Sequence, residues 1–389
     1  MASPLNILFL CSWYPHDGNP TQGIFIRRHA EALALYHRVT TVFASSDPGI
    51  SQAKIQVSER GNLKEVICLY PKVMSEIPVV SNFIKFNRYA SAFSSVIDDL
   101  FSKTPFDIIH LHVIFPAGIA ALKALQKYKI PLFITEHWSG YYPEDGNYKG
   151  YVVKHLTKEV VKRAAAVMVI SGKLQKAMQK HGLAGRYHLI NNVVDTVCFK
   201  PGNTSTAPND KLRILHVSSL VEREKNILGI LAVAAGLKRK SKPFHLLVVG
   251  GQPETVGGYK KRVQEMGLTD DVSFAGQAAP EQVALYMRQS DVFLLLSHFE
   301  GMPVVLLEAM TCGLPVMSTP VGAVEEMVKP GYGKVLKTHE VSECIQELCD
   351  YQRHDYETPA NMYRYMEQTY GYAAVAKQIT EIYNQGAEC

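Results

Sequence analysis

The strongest constraint on this chain is a rhythm in which short apolar runs alternate with longer segments of helical periodicity. In the first half, Ile7–Cys11, Val39–Phe43, Val66–Leu69, Ile108–Val113, Pro131–Thr135 and Val167–Ile170 read as buried strands. Between several of them, Phe25–Tyr36, Ser81–Phe101 and Tyr151–Ala165 read as helices. Strands that alternate with helices indicate βαβ units around a parallel sheet. The run from Pro201 to Asp210, rich in breakers and poor in large apolar residues, reads as a linker. The rhythm then restarts with Leu212–Val217, Phe244–Val249, Val272–Phe274, Val292–Leu296 and Pro315–Ser318. The 389 residues therefore predict two α/β domains of similar size joined near residue 205. Two such sheets leave a cleft at their strand C-terminal edges, where open α/β folds bind ligands. Beyond about residue 338 the pattern is helical and amphipathic, ending with Ala373–Tyr383.

Composition removes several classes. With 47% hydrophobic and 20% charged residues the chain is globular rather than disordered. Its apolar stretches are far shorter than the roughly 18 residues of a membrane span. Met1–Leu10 lacks the basic start of a signal peptide, so a cytoplasmic location is expected. Seven scattered cysteines with no C-x-x-C support neither a disulfide framework nor a zinc site. Residues 1–200 carry a formal charge of +9 and residues 201–389 one of −4. A basic first half favours an anionic partner such as a phosphate-bearing substrate or an acidic lipid surface.

Four stretches carry chemistry. Ser297-His298-Phe299-Glu300-Gly301-Met302-Pro303 follows the strand Val292–Leu296 and leads into a helix, with Gly301 permitting a tight turn and Pro303 suited to the first helical turn. Such a turn aims unpaired N–H groups and the positive end of a helix dipole at a phosphate. Glu300 and Glu308 bracket it; Glu308, in an otherwise apolar helix, is expected to face the cleft or a cation. Lys225, shortly after the strand ending at Val217, is placed to neutralise a diphosphate leaving group. His137 at the end of the strand Pro131–Thr135 is a candidate acid/base or sugar-contacting group, with Trp138, Tyr141 and Tyr142 as flat surfaces for a sugar or lipid acceptor. The loop from Trp13 to Ile26, with Gly18 and Gly23, is long for a βα connection and reads as a ligand cover. His110 and His112 share one side of a strand but have no acidic residue at ligand spacing, so no metal site is expected.

Missing motifs sharpen the choice. No G-x-G-x-x-G follows the first strand, and Gly250-Gly251-Gln252-Pro253 does not fit that pattern. Neither a Walker A loop, a G-x-S-x-G elbow nor a D-x-D pair is present. Nicotinamide-linked oxidoreduction, P-loop hydrolysis and serine esterase chemistry lose support.

The chain resembles the GT-B retaining glycosyltransferases of family 4, also called group 1. The strongest part of the resemblance is an E-x7-E element, Glu300 to Glu308, within E-G-M-P-V-V-L-L-E-A-M-T-C-G-L-P-V. Leu189-Ile190-Asn191-Asn192-Val193-Val194-Asp195 with Phe199 and Pro201, Val169-Ile170-Ser171 and the Gly23 loop support it. The resemblance implies two Rossmann-like domains facing each other across a cleft: residues 1–204 for the acceptor, 205–365 for the nucleotide sugar, and 366–389 crossing back to the first. It also implies roles. Glu300 and His137 contact the donor sugar, Glu308 holds the ribose, and Lys225 binds the diphosphate with help from the turn Met302 to Val305, in which Met302, Val304 and Val305 offer backbone N–H groups and Pro303 shapes the donor-binding turn; Gly23 lies against the phosphates. One departure is visible: family members place arginine in a G-R-L pattern before the lysine, and here Ser219 occupies that place, with Arg223 nearby as a substitute cation.

The implied reaction is transfer of a sugar from a nucleoside-diphosphate sugar, UDP- or GDP-linked, to a saccharide or lipid-linked acceptor hydroxyl. It retains anomeric configuration, needs no metal or other cofactor, and serves cell-surface polysaccharide or glycolipid synthesis. No nucleic-acid partner is expected. Basic residues interleaved with Ile84, Phe86 and Phe93 suggest contact with the anionic inner face of the cytoplasmic membrane, against the alternative of ordinary helix packing. A sugar-nucleotide 2-epimerase and a non-catalytic scaffold of the same shape are the rival readings.

Overall fold

The computed structural model describes residues 3–72, 78–202 and 210–387, with side chains described for all of these except 78–87 and 387. Positions 203–209 of the expected linker, and the side chains of Ile84 and Phe86, lie outside the described residues. The chain forms two compact units, Met1–Val193 with Tyr372–Cys389, and Val194–Gly371.

The first unit is built on strands β1 (Asn6–Cys11), β2 (Arg38–Asp47), β3 (Lys54–Arg60), β4 (Leu63–Pro71), β5 (Ile108–His112), β6 (Leu132–Glu136), β7 (Ala166–Val169) and β8 (Tyr187–Leu189). Their order is β3-β4-β2-β1-β5-β6-β7-β8, parallel except where β3 pairs antiparallel with β4. Strands β5, β6 and β7 are buried at every residue, the condition of strands covered on both faces, which is why they read as short, largely apolar runs. Strand β3 was not visible as an apolar run because it is an edge strand, Lys-Ile-Gln-Val-Ser-Glu-Arg, exposed along most of its length.

The second unit contains β9 (Leu212–Ser218), β10 (Phe244–Gly250), β11 (Val272–Gly276), β12 (Val292–Leu295), β13 (Val316–Ser318) and β14 (Gly333–Val335), in the order β11-β10-β9-β12-β13-β14. All its pairings are parallel. This is the doubly wound 3-2-1-4-5-6 order, and the first unit repeats it as β4-β2-β1-β5-β6-β7. In such sheets the crevice for a ligand opens where the order reverses. That point is β1/β5 in the first unit and β9/β12 in the second. The fold is therefore α/β with two Rossmann-like units.

The final helix, Tyr372–Ala387, belongs to the first unit, where Val375, Ala376, Ile379 and Tyr383 are buried with Ile26, Ala30 and Leu33 of the helix Ile24–Leu33. Polar contacts fix its register. His37 accepts from the Leu5 amide on Nδ1 at 3.2 Å, which leaves Nε2–H to meet Thr380 Oγ1 at 2.9 Å. His110 is held on both nitrogens, by the Tyr383 hydroxyl at 2.5 Å and the Thr135 hydroxyl at 2.7 Å. Phe93, expected among membrane-facing residues, is fully buried in the core, so it packs the long helix Pro78–Lys103 rather than meeting lipid. No helix among the described residues is long and apolar enough to cross a membrane.

Candidate active site

In the second unit two loops leave the C-terminal ends of β9 and β12 and are tied together. Lys225 closes the short helix Glu222–Lys225, and its Nζ donates to Glu300 Oε1 at 2.6 Å. The Ser297 hydroxyl donates to the same oxygen at 2.7 Å. Around this pair, the His298 amide donates to the Glu224 carbonyl at 2.8 Å and Asn226 Nδ2 to the Leu296 carbonyl at 3.1 Å. Asn226, at φ 52°, also caps the next helix, Ile227–Arg239, accepting from the Gly229 amide. The Lys225 and Glu300 side chains are only 17% and 11% exposed, so solvent screens their pairing weakly. Lys225 has three donor hydrogens, and Glu300 occupies one of them.

The turn after Glu300 leads to the helix Val304–Thr311. Pro303 stands at its N-cap position in extended conformation, one residue earlier than a first-turn proline. Its carbonyl accepts from the Leu306 amide, so the chain turns into the helix there. No side chain caps this helix, and the first-turn amides, Val304 and Val305 among them, have no acceptor within the helix by its geometry. Met302 and Pro303 are buried beside it, and Glu308 is half-buried one turn further on. Arg223 places its guanidinium over the Phe299 ring, 5.4 Å from the centroid, which brings it to the Glu300 loop despite its offset from Ser219.

Sequence reasoning overlooked Gly322. At φ +53° a Cβ there would stand 2.1 Å from the Gly301 carbonyl oxygen and 2.3 Å from that of Glu300. The Ala323 amide donates to Gly301 O at 2.8 Å, so this close approach braces the Glu300 turn from beneath. The signal was a single glycine after a short strand, too common to single out.

In the first unit, Gly23 (φ +65°) is the N-cap of the helix Ile24–Leu33. A Cβ there would lie 2.8 Å from the Trp13 carbonyl carbon, which ties the two ends of the Trp13–Ile26 loop together. The loop is anchored by buried Glu65, which accepts from the Tyr14 hydroxyl at 2.7 Å and from the Arg27 guanidinium at 3.0 Å. His137 directly follows β6 and is 6% exposed. The neighbouring Glu136, fully buried, accepts from the amides of Ile114, His137 and Trp138 and from the Tyr141 hydroxyl. Burial raises the Glu136 pKa, and those four bonds oppose the rise. This carboxylate, overlooked in the sequence, organises the loop on which His137 sits. Tyr141 and Tyr142 are 1% and 3% exposed, so the flat surfaces expected of them are packed inward and only Trp138 remains half-buried. For Tyr141 the reason is Glu136, which draws its hydroxyl into the interior.

His137 is joined by two further buried histidines, His29 and His112. Burial pushes the His29 pKa down to about 4 and those of His112 and His137 well below the usual range, so all three are neutral at pH 7. In the unfolded chain they titrate near 6.5. Above that value folding displaces no proton from them, and stability is lost as the pH falls from about 6.5 toward 4. We expect the thermal midpoint to drop between pH 7 and pH 5, and His29→Gln to flatten that dependence; an identical slope in the variant would contradict the assignment.

Sequence and structure comparisons agree on a family. Residues 22–197 match the family described as Glycosyltransferase Family 4, and residues 203–369 match Glycosyl transferases group 1. The chain is 26% identical over 349 residues to the putative teichuronic acid biosynthesis glycosyltransferase TuaC of Bacillus subtilis, covering 83% of each. It is 28% identical over 248 residues to the putative glycosyltransferase EpsF of the same organism; that match covers 60% of this chain and spans 62% of its relative. The structure of Anabaena HepE in complex with UDP and glucose superposes with a TM-score of 0.72 at 18% identity, covering 98% of this chain and 99% of the other. With both halves matched and two Rossmann-like units in the fold, the chain belongs to the group 1 glycosyltransferases of the GT-B fold class.

Proposed function

We propose that the protein transfers a glycosyl group from a nucleoside-diphosphate sugar to an acceptor hydroxyl, with retention of anomeric configuration, in the synthesis of a polysaccharide or glycolipid. The observation that carries this reading is the Lys225–Glu300 pair, 2.6 Å apart at the switch point of the second sheet, beside the uncapped helix Val304–Thr311. As the bond to the sugar breaks, negative charge gathers on the departing diphosphate while the sugar gains oxocarbenium character. Lys225 and the N-terminus of that helix oppose the first change, and Glu300 the second. We assign this charge neutralisation to protein groups rather than a divalent ion. Arg223 adds a cation where Ser219 has none, and Glu308 accepts from the ribose hydroxyls. The acceptor is assigned to the first unit, with His137 toward the donor sugar and Gly23 toward the phosphates.

One comparison supports the donor class and another the product class. HepE was crystallised with UDP and glucose, and TuaC is named for teichuronic acid synthesis. A UDP-sugar is therefore the first donor to try, with a GDP-sugar second. A panel of nucleotide sugars tested by thermal shift, followed by transfer assays with the stabilising donor, tests the reading; stabilisation scales with ligand concentration over Kd. Release of an isomerised sugar without acceptor would favour an epimerase, and donor binding without turnover on any acceptor would favour a scaffold.

Contact with an anionic cytoplasmic membrane surface is part of this reading. Tyr151 and Val152 stand 81% and 58% exposed at the start of the helix Tyr151–Arg163, which also carries Lys154, Lys158 and Lys162. Aromatic and apolar tips among lysines suit an interfacial helix. The chain is expected to float with anionic but not neutral liposomes, and Tyr151→Asp with Val152→Asp to abolish flotation; unchanged flotation would remove this helix from the contact.

A further inference from the structure

His29, from the helix Ile24–Leu33, His112, the last residue of β5, and His137, just after β6, meet on one side of the first sheet. Their ring centroids form a nearly equilateral triangle: 5.8 Å from His29 to His112, 5.4 Å from His29 to His137 and 5.7 Å from His112 to His137. One nitrogen of each ring lies within 4.8 Å of the others. Both nitrogens of His112, both of His137 and Nδ1 of His29 are buried without a hydrogen-bond partner among the described residues. Each unmet buried polar atom costs about 1–3 kcal/mol, so this cluster calls for a ligand.

The orientation of His29 narrows the choice. Its Nε2 lies 3.1 Å from the Asn191 carbonyl, which can only accept. The proton is therefore on Nε2, and the buried Nδ1 carries an unshared lone pair. A ring that donates one N–H to a carbonyl and offers the opposite lone pair is the arrangement that orients a metal-bound imidazole.

We propose that His29, His112 and His137 form a site for a divalent transition-metal ion of the zinc class, bound through three imidazole nitrogens with a water or small anion as fourth ligand. Imidazole donors without carboxylates suit zinc, copper, nickel or iron and disfavour magnesium and calcium. At zinc–nitrogen bonds of about 2.0–2.1 Å the three nitrogens of a tetrahedral site stand roughly 3.3 Å apart. From within 4.8 Å, that takes shifts of about 0.9 Å per ring at most, the scale of a small side-chain rotation. His110, whose ring is 4.1 Å from that of His112, is not a ligand, because both its nitrogens are engaged. Spacing along β5 alone excluded a metal because it compared His112 with His110; the partners of His112 come from positions 29 and 137. The site goes beyond the transfer reading and does not depend on it.

The test uses the full chain, stripped with a chelator and titrated with Co(II) and Zn(II) in the absence of any nucleotide sugar. We expect one equivalent of Co(II), with the visible absorption of a four-coordinate centre, displaced by Zn(II). His29→Gln and His112→Gln are expected to weaken binding at least about 100-fold. His155→Gln, which alters an exposed histidine, should bind as the parent does. Should either cluster variant fail to fold, X-ray absorption at the zinc edge of the parent protein still reads the ligand set, and three imidazole nitrogens are expected. Substoichiometric binding, equal affinity in all variants, or a buried water in the cluster of metal-soaked crystals would overturn the proposal.

Discussion

Replacing Lys225 with alanine is expected to lower glycosyl transfer at least about 100-fold, equivalent to about 2.7 kcal/mol of transition-state stabilisation. Lys225 donates one hydrogen to Glu300 and has two more to offer the diphosphate, in a pocket where its side chain is 17% exposed. Charge opposed in such a site is worth more than in water, and it is needed most when the diphosphate departs. The loss should therefore fall mainly on kcat, with a smaller change in KM. Lys225→Arg keeps the charge but not the compact ammonium that fits Glu300 Oε1, and should recover only part of the rate. Initial rates of nucleoside-diphosphate release at saturating acceptor give the measurement. Near-parental kcat in Lys225→Ala would remove the lysine from the transfer step while leaving the fold untouched.

Gly322→Ala is expected to be among the most damaging single-methyl changes in the second unit. The new Cβ would sit 2.1 Å and 2.3 Å from two carbonyl oxygens, those of Gly301 and Glu300, and φ is +53°. Both obstacles are backbone, so no side chain can rotate away. The left-handed conformation alone costs a non-glycine residue roughly 1–2 kcal/mol. The clash adds to that by displacing the Glu300 turn. Gly61→Ala is the natural control: its φ is +59°, yet nothing lies within 4 Å of the new Cβ. The same backbone cost applies there without the clash. Denaturant midpoints should show Gly322→Ala losing clearly more stability than Gly61→Ala, and transfer activity should fall only in the former. Equal losses in both would mean that the Glu300 turn tolerates displacement.

How much of this was legible along the chain follows from where each feature is encoded. Strands such as β5, β6 and β7 are buried at every residue, so each holds a run of apolar residues that announces it, even where His110, His112, Thr135 and Glu136 interrupt or end the run. Edge strand β3 and the three-residue β8 and β14 have no such run, because little of them needs hiding or little of them exists. Glu300 and Lys225 could be singled out because each sits just past a strand end, where an α/β sheet exposes its loops. Their mutual hydrogen bond, across 75 positions, could not.

Local order, then, is what the sequence by itself determined: the βαβ rhythm, the two-part division and the turns that carry Lys225, Glu300 and Gly23. Backbone periodicity is a property of neighbouring residues, so it is written in consecutive letters. The partners of buried polar groups were decided only by the tertiary structure. Glu136 turned Tyr141 inward, Tyr383 of the helix Tyr372–Ala387 and Thr135 of β6 occupied the two nitrogens of His110, and His29, His112 and His137 were left facing one another. Those pairings depend on which strand lies beside which, and on what a low-dielectric interior demands of every polar atom it encloses.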